Sequence, residues 1–174
     1  TDGIMINKSI FKAYDVRGIY TFDLNEEAAF AVGRAFVAYT GCKNVVVGHD
    51  ARLSSPALFE ALAAGLTAAG AQVTSIGQTP TEGLYFAVGN YDFDGGIMIT
   101  GSHNPPNYNG LKIILDSATI YGAAIQDLYT TIVNEDFAQG VGSYAQVAIT
   151  EKYINTVVQD LKIQKKLKVV IDCG

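Results

Sequence analysis

Residues 100–112 read TGSHNPPNYNGLK. They set a hydroxyl (Ser102), an imidazole (His103), a carboxamide (Asn104) and an ammonium (Lys112) around the prolines Pro105 and Pro106. The preceding run, GGIMIT (95–100), is apolar and suits a buried strand. A turn after such a strand needs only Gly, Asn or Pro. Taken alone, Ser102 reads first as a turn serine that bonds its own backbone. The added polar groups raise a second reading, in which Ser102 is a nucleophile at the end of a core strand.

Two chemistries use such a serine. A Ser–His–Asp hydrolase would carry G-x-S-x-G on a strand–turn–helix, and that pattern is absent because Gly101 directly precedes Ser102. His103 is the chain neighbour of Ser102 and so an awkward general base, which leaves His49 as the other histidine. Phosphoryl chemistry needs cations and donors around the serine instead. Arg17 in YDVRG and Lys112 in NGLK are the candidates. Arg binds phosphate in a bidentate way, and Lys112 holds a phosphate or serves as a base if nearby positive charge lowers its pKa from about 10.4. The plainer reading of each is a solvated surface cation. In GHDARLSS (48–55), Asp50 and Arg52 equally read as a pair that braces the loop. No G-x-x-x-x-G-K-[ST] occurs, so a nucleotide-binding P-loop is not indicated.

The elements that position these residues alternate. NVVVGHD (44–50), AQVTSIG (71–77), GGIMIT and GLKIIL (110–115) read as strands. Helices are expected at 25–40, 54–70 and 79–91. The first opens at Asn25 with Glu26 and Glu27 in its first turn and stops at Gly41. The second has Ser55 as N-cap, Pro56 at the first helical position and Gly70 just past the end. The third has capping-box spacing between Thr79 and Glu82. The last two strands are separated by too short a loop for a parallel crossover, which takes about a dozen residues or more, so they pair antiparallel. The expected fold is α/β, a three-layer domain with a mixed, mainly parallel sheet and helices on both faces. Loops 12–18, 48–55, 77–83 and 100–110 then gather at the edge where ligands of such sheets bind.

After 116 the pattern loosens into a turn or short hairpin, a helix over 122–137 and a Gly-containing break over 138–144. An amphipathic helix at 149–161 and a new buried strand at 166–174 follow. That strand lacks its covering helix. Hence 1–144 is expected to be one domain and 145–174 the incomplete opening of a second, in a truncated multidomain chain.

Composition fits this reading. In 174 residues, 49% are hydrophobic and 17% charged, enough for a packed core. Net charge is −5, which argues against a general nucleic-acid binder but not against one anionic ligand in a cleft with a few cations. Neither a signal peptide nor a membrane span is legible, and Cys42 and Cys173 have no metal-type spacing. Free thiols and a cytoplasmic location are the expectation.

Together the loops resemble the α-D-phosphohexomutases, the phosphomannomutase/phosphoglucomutase family. TGSHNPPNYNGLK is similar to that family's phosphoserine loop, FKAYDVRG (11–18) to its N-terminal signature, and VGHDARLSSP (47–56) and GQTPTEGLYFAV (77–88) to accompanying loops in the same order. VVIDCG (169–174) resembles the first strand of the next domain, and the SHNPP-YNG form resembles the bacterial branch. The resemblance implies that Ser102 carries a phosphoryl group and exchanges it with a hexose phosphate through a hexose 1,6-bisphosphate. It implies that Arg17 and Lys112 aid charge stabilisation and proton transfer, that Tyr14 and His103 line the cleft, and that Asn104 shapes the loop. It further implies a Mg²⁺ bound through the phosphate on Ser102 and by aspartates of a D-G-D-G-D-R loop in a second domain. No such loop occurs in this chain, and the sugar- and phosphate-binding loops of the third and fourth domains are missing, so the chain alone is expected to be inactive. The alternatives are a noncatalytic α/β binding module and a serine hydrolase.

Overall fold

The β-branched run Val45–Val46–Val47 forms the middle of β2 (Asn44–His49), and each of these three valines is fully buried. A strand buried on both faces is what a central parallel strand requires. β2 pairs in parallel with β3 (Gln72–Gln78) on one side and with β4 (Gly95–Ile99) on the other. β4 pairs antiparallel with β5 (Tyr108–Leu115), as the short connection dictates, and β5 pairs antiparallel with β1 (Val16–Ile19) and with the two-residue β6 (Ala118–Thr119). β7 (Ser143–Gln146) adds in parallel to β3. The sheet order is β1-β5-β4-β2-β3-β7. This structure is a computed structural model that describes residues 6–116 and 118–172.

Alternation along the strands builds two cores. Val45, Val47, Ile97, Ile99, Leu111 and Ile113 face α1 (Glu26–Thr40), α2 (Ser55–Ala68) and α4 (Ala123–Val133). Val46, Met98 and Ile114 face α3 (Thr81–Asn90) through Leu84, Ala87 and Val88. The expected three layers are therefore present, with helices on both faces.

Helix α1 starts and stops as its sequence dictates. The Asn25 side chain accepts from Ala28 N, and Gly41 adopts φ +72° as C-cap. The other two expected caps do not form. Ser54, not Ser55, is the N-cap of α2, and it makes no side-chain cap bond; Ser55 is the first helical residue, its hydroxyl drawn to Asp50 instead. Pro80 is the N-cap of α3, so the Thr79–Glu82 box is absent; the Thr79 side chain packs against Gly83, where a Cβ would collide with it. The strand expected over 166–174 is not formed among the described residues: 161–172 are exposed and lie in no strand, and 173–174 fall outside the description. A strand is a paired state, and among the described residues no strand pairs with this segment. α5 (Thr150–Asp160) has no buried residue, although Tyr153 packs edge-on against Phe86 of α3. β7 runs across the expected division at 144/145. Cys42 is free and buried, while Cys173 lies outside the described residues. Among the described residues no helix is long and apolar enough to cross a membrane.

Helices α1 and α2 touch backbone to backbone. A Cβ at Gly33 would stand 2.6 Å from Leu62 O, and one at Gly65 would overlap Phe30 O. Gly65→Ala is therefore expected to lower stability by about 1–3 kcal/mol by overpacking, despite alanine's better helix propensity. Gly89 of α3 is exposed with open space around its Cβ position. Gly89→Ala should raise stability by roughly 0.5–1 kcal/mol. Urea unfolding of both variants checks the pair; a stabilised Gly65→Ala would contradict the close helix contact.

Candidate active site

β2, β3 and β4 run parallel, so His49, Gln78 and Ile99 end at one edge of the sheet. β1 is staggered towards that edge, since Val16 and Ile99 both lie opposite Leu111 of β5. The loop 100–107 crosses this edge. Its first amide stays in register, with Thr100 N donating to Gly110 O (3.0 Å).

Ser102 is exposed and has φ +52°, a left-handed conformation rare for serine that costs on the order of 1–3 kcal/mol unless its surroundings enforce it. The enforcement is visible. Ser102 N donates to Thr100 Oγ1 (2.9 Å), and Asn104 donates to Gly101 O from both its backbone N and its Nδ2 (3.0 Å each). Asn104 thus shapes the loop. Ser102 Oγ lies 3.2 Å from His103 Nδ1, so these chain neighbours do touch. His49 turns elsewhere: its ring packs on Phe59 (5.8 Å between centroids) and its Nδ1 lies 2.9 Å from Asp50 O.

Beneath the loop sit Asp50 and Arg52. Asp50 Oδ1 accepts from Ser55 Oγ (2.6 Å) and Arg52 N (3.0 Å); Oδ2 accepts from Gly101 N (3.1 Å) and Arg52 Nε (3.2 Å). Burial pushes the Asp50 carboxyl up. The bonds from the Ser55 hydroxyl, the Arg52 amide, the Thr100 hydroxyl and the Gly101 amide outweigh it and hold Asp50 below the usual carboxylate range. Arg52 in turn donates to the carbonyls of Ser102, Asn104, Pro105 and Tyr108. The loop-bracing reading of this pair is what the structure shows. Gly101 is required beneath it, because a Cβ there would overlap the guanidinium. Ser54 and Ser55 also accept from the buried Asn109 amide (2.8 and 3.0 Å), locking α2 to β5.

A second group stands on the α3 side of the sheet. Gly110, Lys112 and Ile114 share one face of β5, and Arg17, opposite Gly110, points to that same face. Arg17 Nη2 donates to Asp15 Oδ2, and Lys112 Nζ lies 4.0 Å from the same oxygen. Arg17 is buried (8% exposed), yet its Nη1 has no hydrogen-bond partner. That is an unused, charged, buried donor, costly unless a ligand completes it. Tyr14, one residue before Asp15, is 73% exposed. Asp15 and Thr100 were not singled out from sequence; an acid two residues before a candidate phosphate cation, and a hydroxyl just before the loop glycine, were the available signals.

The family description "Phosphoglucomutase/phosphomannomutase, alpha/beta/alpha domain I" matches residues 8–139. A phosphomannomutase/phosphoglucomutase of Pseudomonas aeruginosa is 43% identical over 169 residues, covering 95% of this chain and 36% of its own length. A phosphoglucomutase of Neisseria meningitidis is 40% identical over 174 residues, covering 97% and 38%. Among solved structures, a phosphoglucomutase/phosphomannomutase family protein of Burkholderia thailandensis superposes with a TM-score of 0.89 at 45% identity, over 92% of this chain and 38% of the other. The chain thus spans little more than a third of these relatives. The match over most of its length, together with the placement of the loop on the fold, makes it a member of the phosphoglucomutase/phosphomannomutase family, corresponding to the family's first domain.

Proposed function

We propose that this domain carries the phosphoryl group of a phosphohexomutase on Ser102. The observation that supports it most directly is an exposed serine hydroxyl at the sheet edge, in an enforced left-handed conformation, on the same edge as a buried arginine with an unused donor. In this reading the sugar hydroxyl of a hexose 1-phosphate attacks the phosphorus on Ser102. The P–Oγ bond breaks, Ser102 Oγ takes up a proton, and a hexose 1,6-bisphosphate forms. After the bisphosphate turns over, Ser102 Oγ attacks the other phosphorus, and hexose 6-phosphate leaves with the phosphoserine restored. Arg17 Nη1 supplies charge to the phosphate, and Lys112, next to Asp15, handles phosphate charge or the proton. His103 Nδ1 sits within reach of Ser102 Oγ, and this reading assigns the exposed Tyr14 and the loop residue Asn104 to the wall on this side.

The family's Mg²⁺ is not matched by these residues alone. Among the described residues no cluster of three or more His, Cys, Asp or Glu could hold a metal, and a phosphate on Ser102 would offer one oxygen to an ion that takes about six. The proposal therefore includes metal, sugar and distal phosphate contacts from further domains, with residues 145–174 opening the second, in a cytoplasmic enzyme. A hydrolase reading has less support, because His49 packs on Phe59.

Intact-mass analysis of the complete enzyme carrying this domain, incubated with glucose 1,6-bisphosphate, should show one phosphoryl group on Ser102 that vanishes in Ser102→Ala. An unmodified serine would count against the reading. The 174-residue chain alone should show no turnover of glucose 1-phosphate in a coupled assay, since phosphoryl transfer depends on positioning and charge from all sides. Robust turnover would show that this chain holds the whole site.

A further inference from the structure

Arg52 is saturated. A guanidinium has five N–H donors. Nε donates to Asp50 Oδ2 (3.2 Å), Nη1 to Pro105 O (2.6 Å) and Tyr108 O (3.1 Å), and Nη2 to Ser102 O (3.0 Å) and Asn104 O (2.7 Å). None is left for a ligand phosphate, in contrast to Arg17 with its free Nη1.

The peptide geometry carries this further. In a trans peptide the N–H of the next residue points opposite to the carbonyl, and this chain has no cis peptide among the described residues. Turning carbonyls inward onto Arg52 therefore turns the following N–H groups outward. After Asn104 and Pro105 those following residues are Pro105 and Pro106, which have no N–H to strand. The proline pair lets two carbonyls face the cation without leaving an orphan donor. After Ser102 the following residue is His103, so the His103 N–H faces away from Arg52.

We propose that Arg52 is a positioning residue for phosphoryl transfer at Ser102. By fixing the Ser102–His103 peptide and the left-handed backbone of Ser102, it presents the hydroxyl and the His103 N–H to the phosphoryl group in one geometry. The proposal rests on Ser102 being the phosphoryl carrier. Arg52 touches neither phosphate nor sugar; it acts through the loop carbonyls. A lysine keeps the charge but cannot reproduce the planar five-donor fork.

The test uses the complete enzyme carrying this domain and measures transfer of labelled phosphate from glucose 1,6-bisphosphate to Ser102, per folded enzyme. Arg52→Lys and Arg52→Ala are expected to slow it about 100-fold, the scale of a small misplacement of a reacting group. KM for glucose 1-phosphate should stay unchanged, and added ethylguanidinium should restore part of the rate in Arg52→Ala, which a loss of global stability would not allow. Should Arg52→Ala fail to fold, Arg52→Lys carries the measurement. Amide exchange at Gly101, Ser102 and Asn104 should quicken in Arg52→Lys while β2 and β4 stay protected. Transfer at the unmutated rate in either folded variant overturns the role of Arg52. If the unmutated enzyme takes no label on Ser102, it is the assignment of Ser102 as carrier that fails.

Discussion

Asp50 and Arg52 hold the site together because a loop crossing a sheet edge must dispose of its own carbonyls. Three of them converge on one guanidinium together with the carbonyl of Tyr108 at the start of β5, and that guanidinium is anchored by one carboxylate. The carboxylate is in turn tied to helix α2 through Ser55 and to the loop through Gly101 N. The end of strand β2, helix α2, strand β5 and the serine loop are thus joined through two side chains. Burial alone would raise the carboxyl's pKa; the donors around it lower it, which favours the carboxylate that Arg52 pairs with.

The cations divide by the same logic. Arg52 and Arg17 are both largely buried, but one is fully spent on structure and the other keeps a donor in reserve. The mixed sheet produces this division. Because β5 returns antiparallel, Gly110 brings Arg17 to the level of Thr100, and the missing side chain at Gly110 leaves room for the guanidinium: a Cβ there would stand 2.8 Å from Arg17 Nε. Asp15, between Arg17 and Lys112, keeps two like charges on one face.

What the order of residues decided by itself was the alternation of strands and helices, the antiparallel return of β5, the capping of α1 by Asn25 and Gly41, and the loops that meet at the edge. Those features depend on periodicity, loop length and local backbone preference, all of which are written along the chain. Tertiary structure alone decided where Ser55 and Thr79 spend their hydroxyls, because distant partners compete with the local caps: Asp50 for Ser55, and the packing of Gly83 for Thr79. It also decided that the short runs VRGI and SYAQ become strands while KLKVVID does not, since a strand exists only where another strand offers its edge. The separation of Arg52 from Arg17 belongs to the same class. Both are cations in polar loops by sequence, and only the count of satisfied donors tells the brace from the free hand.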